Sequence, residues 1–151
     1  MMTDYALRLL MYVAQQPQRL CTIAEVAQAY RISEAHLMKV THQLARGGWL
    51  ETVRGKGGGM RLAMAPDRIN LGAIVRSIEP DFAVVECFTP ESTCALTGRC
   101  GLADILHDAL LEFMRHLDGH TLADVLMRTT PNRVPGAHTL RFTLPGRART
   151  A

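Results

Sequence analysis

Apolar residues recur at three- and four-residue spacing along the first part of the chain, which predicts short amphipathic helices. In "DYALRLLMYVAQQP" the residues that share one face are Leu7, Leu10, Met11 and Ala14. Pro17 follows the expected end of this first helix, because proline cannot continue the hydrogen-bond ladder.

Two further helices are predicted on either side of a tight turn. "TIAEVAQAY" begins with Thr22 and carries Glu25 three residues later, the spacing of a capping box. The turn "RIS" ends at Ser33, a suitable N-cap for "EAHLMKVTHQLARGG". The inward positions of this third helix are Leu37, Val40 and Leu44, and Gly47-Gly48 ends it.

The next segments alternate apolar and polar residues like two short strands. These are "WLETV" and "MRLAM", and the glycine-rich "RGKGGG" between them is a turn. Two helices across a tight turn followed by a two-stranded ribbon is the order of a winged helix-turn-helix, in which the later helix enters the major groove of DNA. Pro66 closes this module.

The second part of the chain returns to helical spacing. "INLGAIVRSIEP" predicts one helix, and "LADILHDALLEFMRHL" predicts a long one with a broad apolar face. That face comprises Leu102, Ile105, Leu106, Ala109, Leu110 and Phe113. It can pack on the first module, or it can meet a second copy of the chain, since two-fold DNA sites favour dimers.

These patterns predict a mainly α chain in three parts. Residues 1–66 form a winged helix-turn-helix with a small β-hairpin wing. Residues 67–130 carry a cysteine loop, a long dimerisation helix and a last short helix capped by Thr121. Residues 131–151 are predicted to be a flexible tail, although "HTLRFTL" alternates enough to become a strand on binding.

Composition narrows the function classes. No apolar run is long enough for a membrane helix, and the N-terminus lacks the basic start and cleavage site of a signal peptide, so we expect a cytoplasmic protein. Cytoplasmic thiols stay reduced, which favours metal-binding or redox cysteines over disulfides. No nucleophile–base pair, dinucleotide fingerprint or substrate motif indicates an enzyme.

Charge divides unevenly along the chain. Residues 1–64 carry a net charge of +4, residues 76–130 carry −5, and residues 131–151 carry +4. A basic first part suggests that a polyanion binds there, although ordinary surface scatter gives the same asymmetry.

The exposed face of the third helix carries the candidate DNA contacts. They are Ser33 at its start and then His36, Lys39, Gln43 and Arg46. Cations of this face can neutralise phosphate, and its His and Gln can hydrogen-bond to bases. A solvated helix face would show the same pattern.

The wing tip favours the DNA-binding interpretation. Arg54 and Lys56 flank glycines, where missing side chains let the backbone approach a groove while the cations reach phosphate. A phosphate-cradling P-loop is excluded, because Gly57 follows Lys56 where that motif requires Ser or Thr.

Three of the four cysteines lie in "CFTPESTCALTGRC", at Cys87, Cys94 and Cys100. Their spacing is too wide for zinc knuckles, whereas an iron–sulfur cluster tolerates a longer ligand loop. Three buried thiols packed as small hydrophobes are the alternative, which the polar residues between them disfavour. Cys21 stands apart and is expected to be a packed or idle thiol.

Three cysteines leave one iron without a thiolate. Asp4 and His107 are the candidates for a fourth ligand. His107 lies nearly two turns into its helix, which would direct it away from a cluster at the helix start. Asp4 has an alternative explanation too, since a carboxylate near a helix N-terminus is favoured by the helix dipole.

The chain resembles a family of bacterial winged-helix iron–sulfur regulators over about residues 3–127. The resemblance rests on "TDYALRLLMYVA", "TIAEVAQAYRIS", "HLMKVTHQLARGGWLETVRGKGGGMRLA", "IVRSIEP", the three cysteines and "HTLADVL". It is strongest to the members that sense nitric oxide. A relative that senses cluster supply has a histidine three residues after the third cysteine, where this chain has Ala103.

The resemblance implies a homodimer that binds palindromic promoter DNA and represses genes for nitric oxide detoxification. It implies a [4Fe-4S] cluster, with [2Fe-2S] as the alternative, whose nitrosylation by nitric oxide releases the DNA. The implied ligands are Cys87, Cys94 and Cys100, with Asp4 supplied by the partner subunit. Sensing of iron, oxygen or cluster supply by the same cysteines remains the alternative function.

Overall fold

The fold is mainly helical with one two-stranded hairpin, as the sequence predicts. The computed structural model describes residues 2–79, 83, 85–96 and 98–126, so the predicted tail 131–151 and its strand lie outside the described residues. The helices and strands in chain order are α1 (Met2–Ala14), α2 (Ile23–Tyr30), α3 (Glu34–Arg46), β1 (Leu50–Val53), β2 (Gly59–Leu62), α4 (Leu71–Ile78), α5 (Gly101–Asp118) and α6 (Leu122–Leu126).

Helix α1 is the centre of the core, and its buried face differs from the predicted one. The buried apolar residues are Ala6, Leu9, Leu10 and Val13. Of the predicted face only Leu10 is fully buried, and Leu7, Met11 and Ala14 are half-buried at its edge. The reason is that α1 packs against α2, α3, α4, α6 and β2 together, which rotates its inward face away from the face that sequence spacing favours.

Local signals fix the two helices of the helix-turn-helix. Thr22 and Glu25 form the predicted capping box, with the N–H of Glu25 donating to Oγ1 of Thr22 over 3.2 Å. Ser33 caps α3 by accepting from the N–H of His36 over 3.3 Å. Leu37, Val40 and Leu44 are buried, which confirms the predicted inward face of α3.

The wing is shorter than predicted and is joined by a third segment. β2 begins at Gly59, which pairs with Val53 directly after the glycine turn, and it ends at Leu62, which pairs with Leu50. Cys21 and Met60 exchange two backbone hydrogen bonds of 2.9 and 2.8 Å, an antiparallel bridge that alternation alone did not indicate. The wing is thereby tied to the start of α2.

Helix α4 belongs to the same core as the winged helix-turn-helix. The residues after Pro66 that join this core are Ile69, Leu71, Ile74, Ile78 and Leu122. The division at residue 66 therefore does not coincide with a break in the hydrophobic core.

Within the described residues, helix α5 packs against the hydrophobic core through Leu117, near its C-terminal end. Arg76 on α4 forms a bidentate ion pair with Asp118, over 2.7 and 2.5 Å. Three large residues of the predicted apolar face are exposed: Leu102, Ile105 and Phe113 are 60%, 67% and 48% exposed, whereas Leu106 and Leu110 are half-buried. Packing of this face on the first module is not observed in the described part of the chain.

Candidate functional site

The start of α3 is an ordered polar cluster on the molecular surface. Oγ of Ser33 lies 2.7 Å from Nδ1 of His36, in addition to capping the helix. The imidazole of His36 also contacts the ring of Tyr5 on α1, with centroids 5.6 Å apart. His36 is exposed while both neighbours hold its ring, so its position before any DNA arrives is restricted.

The other predicted DNA contacts on α3 differ in their exposure to solvent. Lys39 and Arg46 are exposed and can reach phosphate. Gln43 is half-buried, and its Oε1 is buried without a hydrogen-bond partner among the described residues. In this conformation that oxygen faces protein instead of the open face of α3.

The wing tip depends on glycine at three positions. Gly55 and Gly57 have φ of 98° and 76°, the left-handed region that side chains rarely adopt. A Cβ on Gly58 would lie 2.2 Å from the carbonyl oxygen of Val53. The tight turn holds Arg54 and Lys56 exposed at the end of the hairpin.

The predicted DNA-binding cations share one electrostatic property. Lys39, Arg46, Arg54 and Lys56 form no ion pair within the described residues. On other surfaces of the same module, cations are neutralised: Arg8 by Asp4, Arg19 by Glu25 and Arg61 by Glu51. Four of the five cations of residues 1–64 that lack an ion pair within the described residues therefore lie on α3 and the wing, where a polyanion would be attracted.

The cysteine loop is closed by a carboxylate. Oε1 of Glu86 accepts from the N–H and the hydroxyl of Thr93, over 3.1 and 2.9 Å. These hydrogen bonds hold the pKa of Glu86 below its usual value, because they stabilise the charged form. They draw the segment beside Cys87 toward the segment beside Cys94.

All three loop cysteines are reduced and half-buried. Cys100 is the N-cap residue of α5 and makes no side-chain capping bond. A shallow cavity of about 260 Å³ opens beside it, lined by Gly98, Arg99, Gly101, Ala103 and Asp104. A thiolate at this position would face the positive end of the α5 dipole.

The donor set suits an iron–sulfur cluster by its chemistry. Three reduced thiols on one polar loop are the ligands that such clusters use. Within the described residues, however, no three His, Cys, Asp or Glu side chains converge closely enough to hold a metal ion. The thiols would therefore have to draw together around a bound cluster.

Asp4 lies on the first turn of α1, where its carboxylate is half-exposed. It accepts from Nε of Arg8 over 3.0 Å, a pair one helical turn apart. Next to it, the N–H and hydroxyl of Thr3 both donate to Oε1 of Glu79, over 3.0 and 3.1 Å. Glu79 follows α4 and leads toward the cysteine loop, so the start of α1 is fixed to that segment.

His107, the other candidate for the fourth ligand, and Cys21, the expected packed thiol, have ordinary environments. His107 is exposed, and its ring packs edge-on against Phe88, with centroids 6.2 Å apart. Cys21 is fully buried, and burial raises the pKa of its thiol. Sequence spacing missed the contact of Tyr5 with His36 and those of Glu79 with Thr3, since each joins residues distant in the chain.

Comparison with known proteins identifies a family. A family model described as "Rrf2: Iron-dependent Transcriptional regulator" matches residues 1–128. The HTH-type transcriptional regulator NsrR of Halalkalibacterium halodurans is 48% identical over 126 residues, which are 82% of this chain and 86% of that protein. NsrR of Bacillus subtilis is 45% identical over the same shares of the two chains.

Solved structures agree on the winged-helix fold. CymR, the global cysteine regulator of B. subtilis, is 28% identical with a TM-score of 0.63, over 85% of this chain and 95% of that one. IscR of T. potens has a TM-score of 0.68 over 88% of each chain, and at 22% identity this likeness concerns the fold alone. The relatives are named as transcriptional regulators, in agreement with the expectation that this chain is not an enzyme.

Proposed function

The chain belongs to the Rrf2 family of iron-dependent transcriptional regulators, and from this premise we propose that it is a homodimeric iron–sulfur repressor that releases promoter DNA in response to nitric oxide. The observation that carries the proposal is the position of three reduced cysteines between a DNA-binding module and an exposed apolar helix. The similarity to regulators named NsrR supports nitric oxide as the signal.

The DNA-binding step uses α3 and the wing. The cations Lys39 and Arg46 on α3, and Arg54 and Lys56 on the wing, are exposed and unpaired in the described part of the chain, so phosphate binding breaks no existing ion pair. His36 is already held by Ser33 and Tyr5, which lowers the entropy lost when it meets a base edge. Two copies joined through α5 would match a palindromic site.

The sensing step uses the cysteine loop and α1. Cys87, Cys94 and Cys100 of one subunit, with Asp4 of the other, would hold a [4Fe-4S] cluster, or a [2Fe-2S] cluster as the alternative. When bound, the cluster supplies iron that nitric oxide can attack, most readily where a carboxylate replaces a thiolate. No helix in the described residues is long and apolar enough to cross a membrane, and we place the regulator with its promoter DNA in the cytoplasm.

Asp4 would couple the two steps, because its carboxylate can bind either the proposed cluster iron or the guanidinium of Arg8. Released from iron, its carboxylate can return to the guanidinium of Arg8, one turn away on α1. Helix α1 packs directly against α3, so a shift at the start of α1 reaches the recognition helix. Loss of the link between subunits would then move the two recognition helices out of register with their half-sites.

The test is an anaerobic titration of the cluster-loaded protein with nitric oxide. Cluster absorbance and binding to a palindromic promoter fragment are followed in the same samples, with Cys94→Ser as the control that lacks one proposed ligand. Simultaneous loss of both signals in the wild type supports the proposal. Persistent DNA binding after the cluster has reacted refutes nitric oxide as the signal.

One observation favours a second candidate function, the sensing of iron, oxygen or cluster supply. The matching family is described as iron-dependent, and the same three cysteines would serve that role. Release of DNA by a chelator or by oxygen, with no release by nitric oxide, would select this alternative. Release by nitric oxide at much lower concentration than by oxygen would exclude it.

A further inference from the structure

Arg31 lies in an unusual backbone conformation in the turn of the helix-turn-helix. Its φ of 55° and ψ of 43° place it in the left-handed region, and it is the only residue other than glycine with positive φ in the described part of the chain. Side chains rarely adopt this region, because the Cβ crowds the neighbouring carbonyl oxygen.

The turn itself does not require an arginine. The N–H groups of Arg31 and Ile32 both bond to the carbonyl oxygen of Ala27, which closes the C-terminal end of α2. This backbone arrangement is the one that glycine forms with least strain. The side chain of Arg31 therefore contributes nothing to the turn that glycine would not supply better.

The charge of Arg31 is also uncompensated. Residues 1–64 contain eight Lys or Arg residues. Three of them, Arg8, Arg19 and Arg61, form ion pairs with carboxylates. Among the described residues the other five form none, and four of these five are the predicted DNA-binding cations of α3 and the wing. Arg31 is the fifth, and it is exposed.

The position of Arg31 explains what its charge can bind. It lies two residues before Ser33, the N-cap of α3, so it stands at the positive end of the recognition-helix dipole. In a helix-turn-helix the N-terminal residues of the recognition helix enter the major groove while the first helix crosses the sugar-phosphate backbone, so the turn between the two helices comes near phosphate.

We propose that Arg31 binds a backbone phosphate of DNA beside the N-terminus of α3. The inference rests on the proposed function as a DNA-binding regulator and adds a phosphate site that sequence periodicity did not indicate. Arg31 is exposed in this left-handed turn, two residues before the N-cap of the recognition helix. A phosphate contact is independent of sequence, so it contributes equally on any duplex.

The test compares three variants of the full-length, cluster-loaded protein under anaerobic conditions. Arg31→Gly removes the charge and relieves the backbone, and Arg31→Lys keeps the charge. Arg68→Gln is the matched control, because it removes an exposed, unpaired cation on the segment that packs against α6. Binding to a mixed-sequence duplex is measured by fluorescence anisotropy between about 50 and 200 mM salt, and thermal unfolding is measured alongside.

Arg31→Gly is expected to weaken DNA binding roughly tenfold at low salt, the effect of removing a charge-assisted hydrogen bond. It should also reduce the slope of log affinity against log salt by about 0.9 for each phosphate that is no longer neutralised, without lowering the melting temperature. Arg31→Lys should keep most of the slope, and Arg68→Gln should match the wild type.

Three results would overturn the inference. Unchanged affinity and slope in Arg31→Gly would refute the phosphate site while leaving the proposed function intact, since the wild type still binds. An equal loss of affinity in Arg68→Gln would show an effect of net charge alone. Absence of DNA binding by the wild type in every salt condition would refute the phosphate site and the proposed function together.

Discussion

The ring of Tyr5 lies against the imidazole of His36, with centroids 5.6 Å apart and planes inclined at 35°. Tyr5 follows Asp4 on α1, and His36 stands in the first turn of the recognition helix. One aromatic contact thus joins the residue next to the proposed iron ligand to a predicted base contact. Movement of the start of α1 would therefore change the support of His36.

Replacing Tyr5 with leucine should lower DNA affinity without loss of the cluster. The aromatic contact that this substitution removes is worth roughly 1 kcal/mol per subunit, so the lost ordering of His36 should weaken binding by at most about fivefold for each half-site. Tyr5→Phe keeps the ring and should bind like the wild type. Anisotropy with promoter DNA gives the affinity, and absorbance gives the cluster content. Equal affinity of the Leu and Phe variants would contradict a role for this contact.

Asp4→Ala tests the coupling of α1 to the sensing site. The three cysteines should still hold a cluster, but the concentration of nitric oxide that releases half of the DNA should shift by about fivefold or more, the usual range of an allosteric coupling. Arg8→Gln is the complementary variant, because it removes the competing partner of Asp4 and leaves the carboxylate free for iron. An unchanged nitric oxide response together with unchanged DNA affinity in Asp4→Ala would refute the proposed link.

Local sequence signals predicted the elements of this fold well. The capping box of Thr22 and Glu25, the cap at Ser33 and the glycine turn of the wing each depend on residues a few positions apart. Such contacts can be predicted from sequence because their geometry depends on the local backbone. They fixed the order of helices and the position of the wing.

Features that depend on packing among distant segments were not predictable in the same way. The buried face of α1 is set by five other elements at once, so Ala6, Leu9 and Val13 replaced three of the four predicted residues. Glu79 meets Thr3 across 76 positions of sequence. Arg31 carried one readable signal, a cation in a turn where glycine is common, but its left-handed conformation appeared only in the structure.

Cys21 should behave differently from the loop cysteines in a labelling experiment. Burial raises the pKa of its thiol, and only the thiolate reacts with iodoacetamide. In cluster-free folded protein near neutral pH, Cys87, Cys94 and Cys100 should be alkylated while Cys21 reacts only after unfolding. Mass spectrometry of the digested protein identifies each site. Labelling of Cys21 in the folded protein at the rate of the loop cysteines would show that this segment opens readily.

The exposed face of α5 is expected to join two subunits. Ile105 is 67% exposed in a single chain, and it shares the apolar face of α5 with Leu102 and Phe113, which are exposed as well. A two-fold dimer would bury both copies of each such side chain, and Ile105→Glu would remove both isoleucines and place two carboxylates in the interface. The expected loss of dimerisation free energy is at least about 3 kcal/mol per dimer. The resulting shift toward monomer can be measured by sedimentation velocity.

Asp108→Lys is the matched control for that variant, since Asp108 is exposed on α5 away from the apolar face and the substitution changes charge without removing apolar surface. It should remain dimeric, whereas Ile105→Glu should be monomeric and bind palindromic DNA weakly. Circular dichroism checks that the monomer is folded. It should be, because α5 has no fully buried residue in the single chain, so loss of the partner subunit should leave the core intact. A stable dimer of Ile105→Glu would show that another surface joins the subunits, and the interface would have to be sought outside this face of α5.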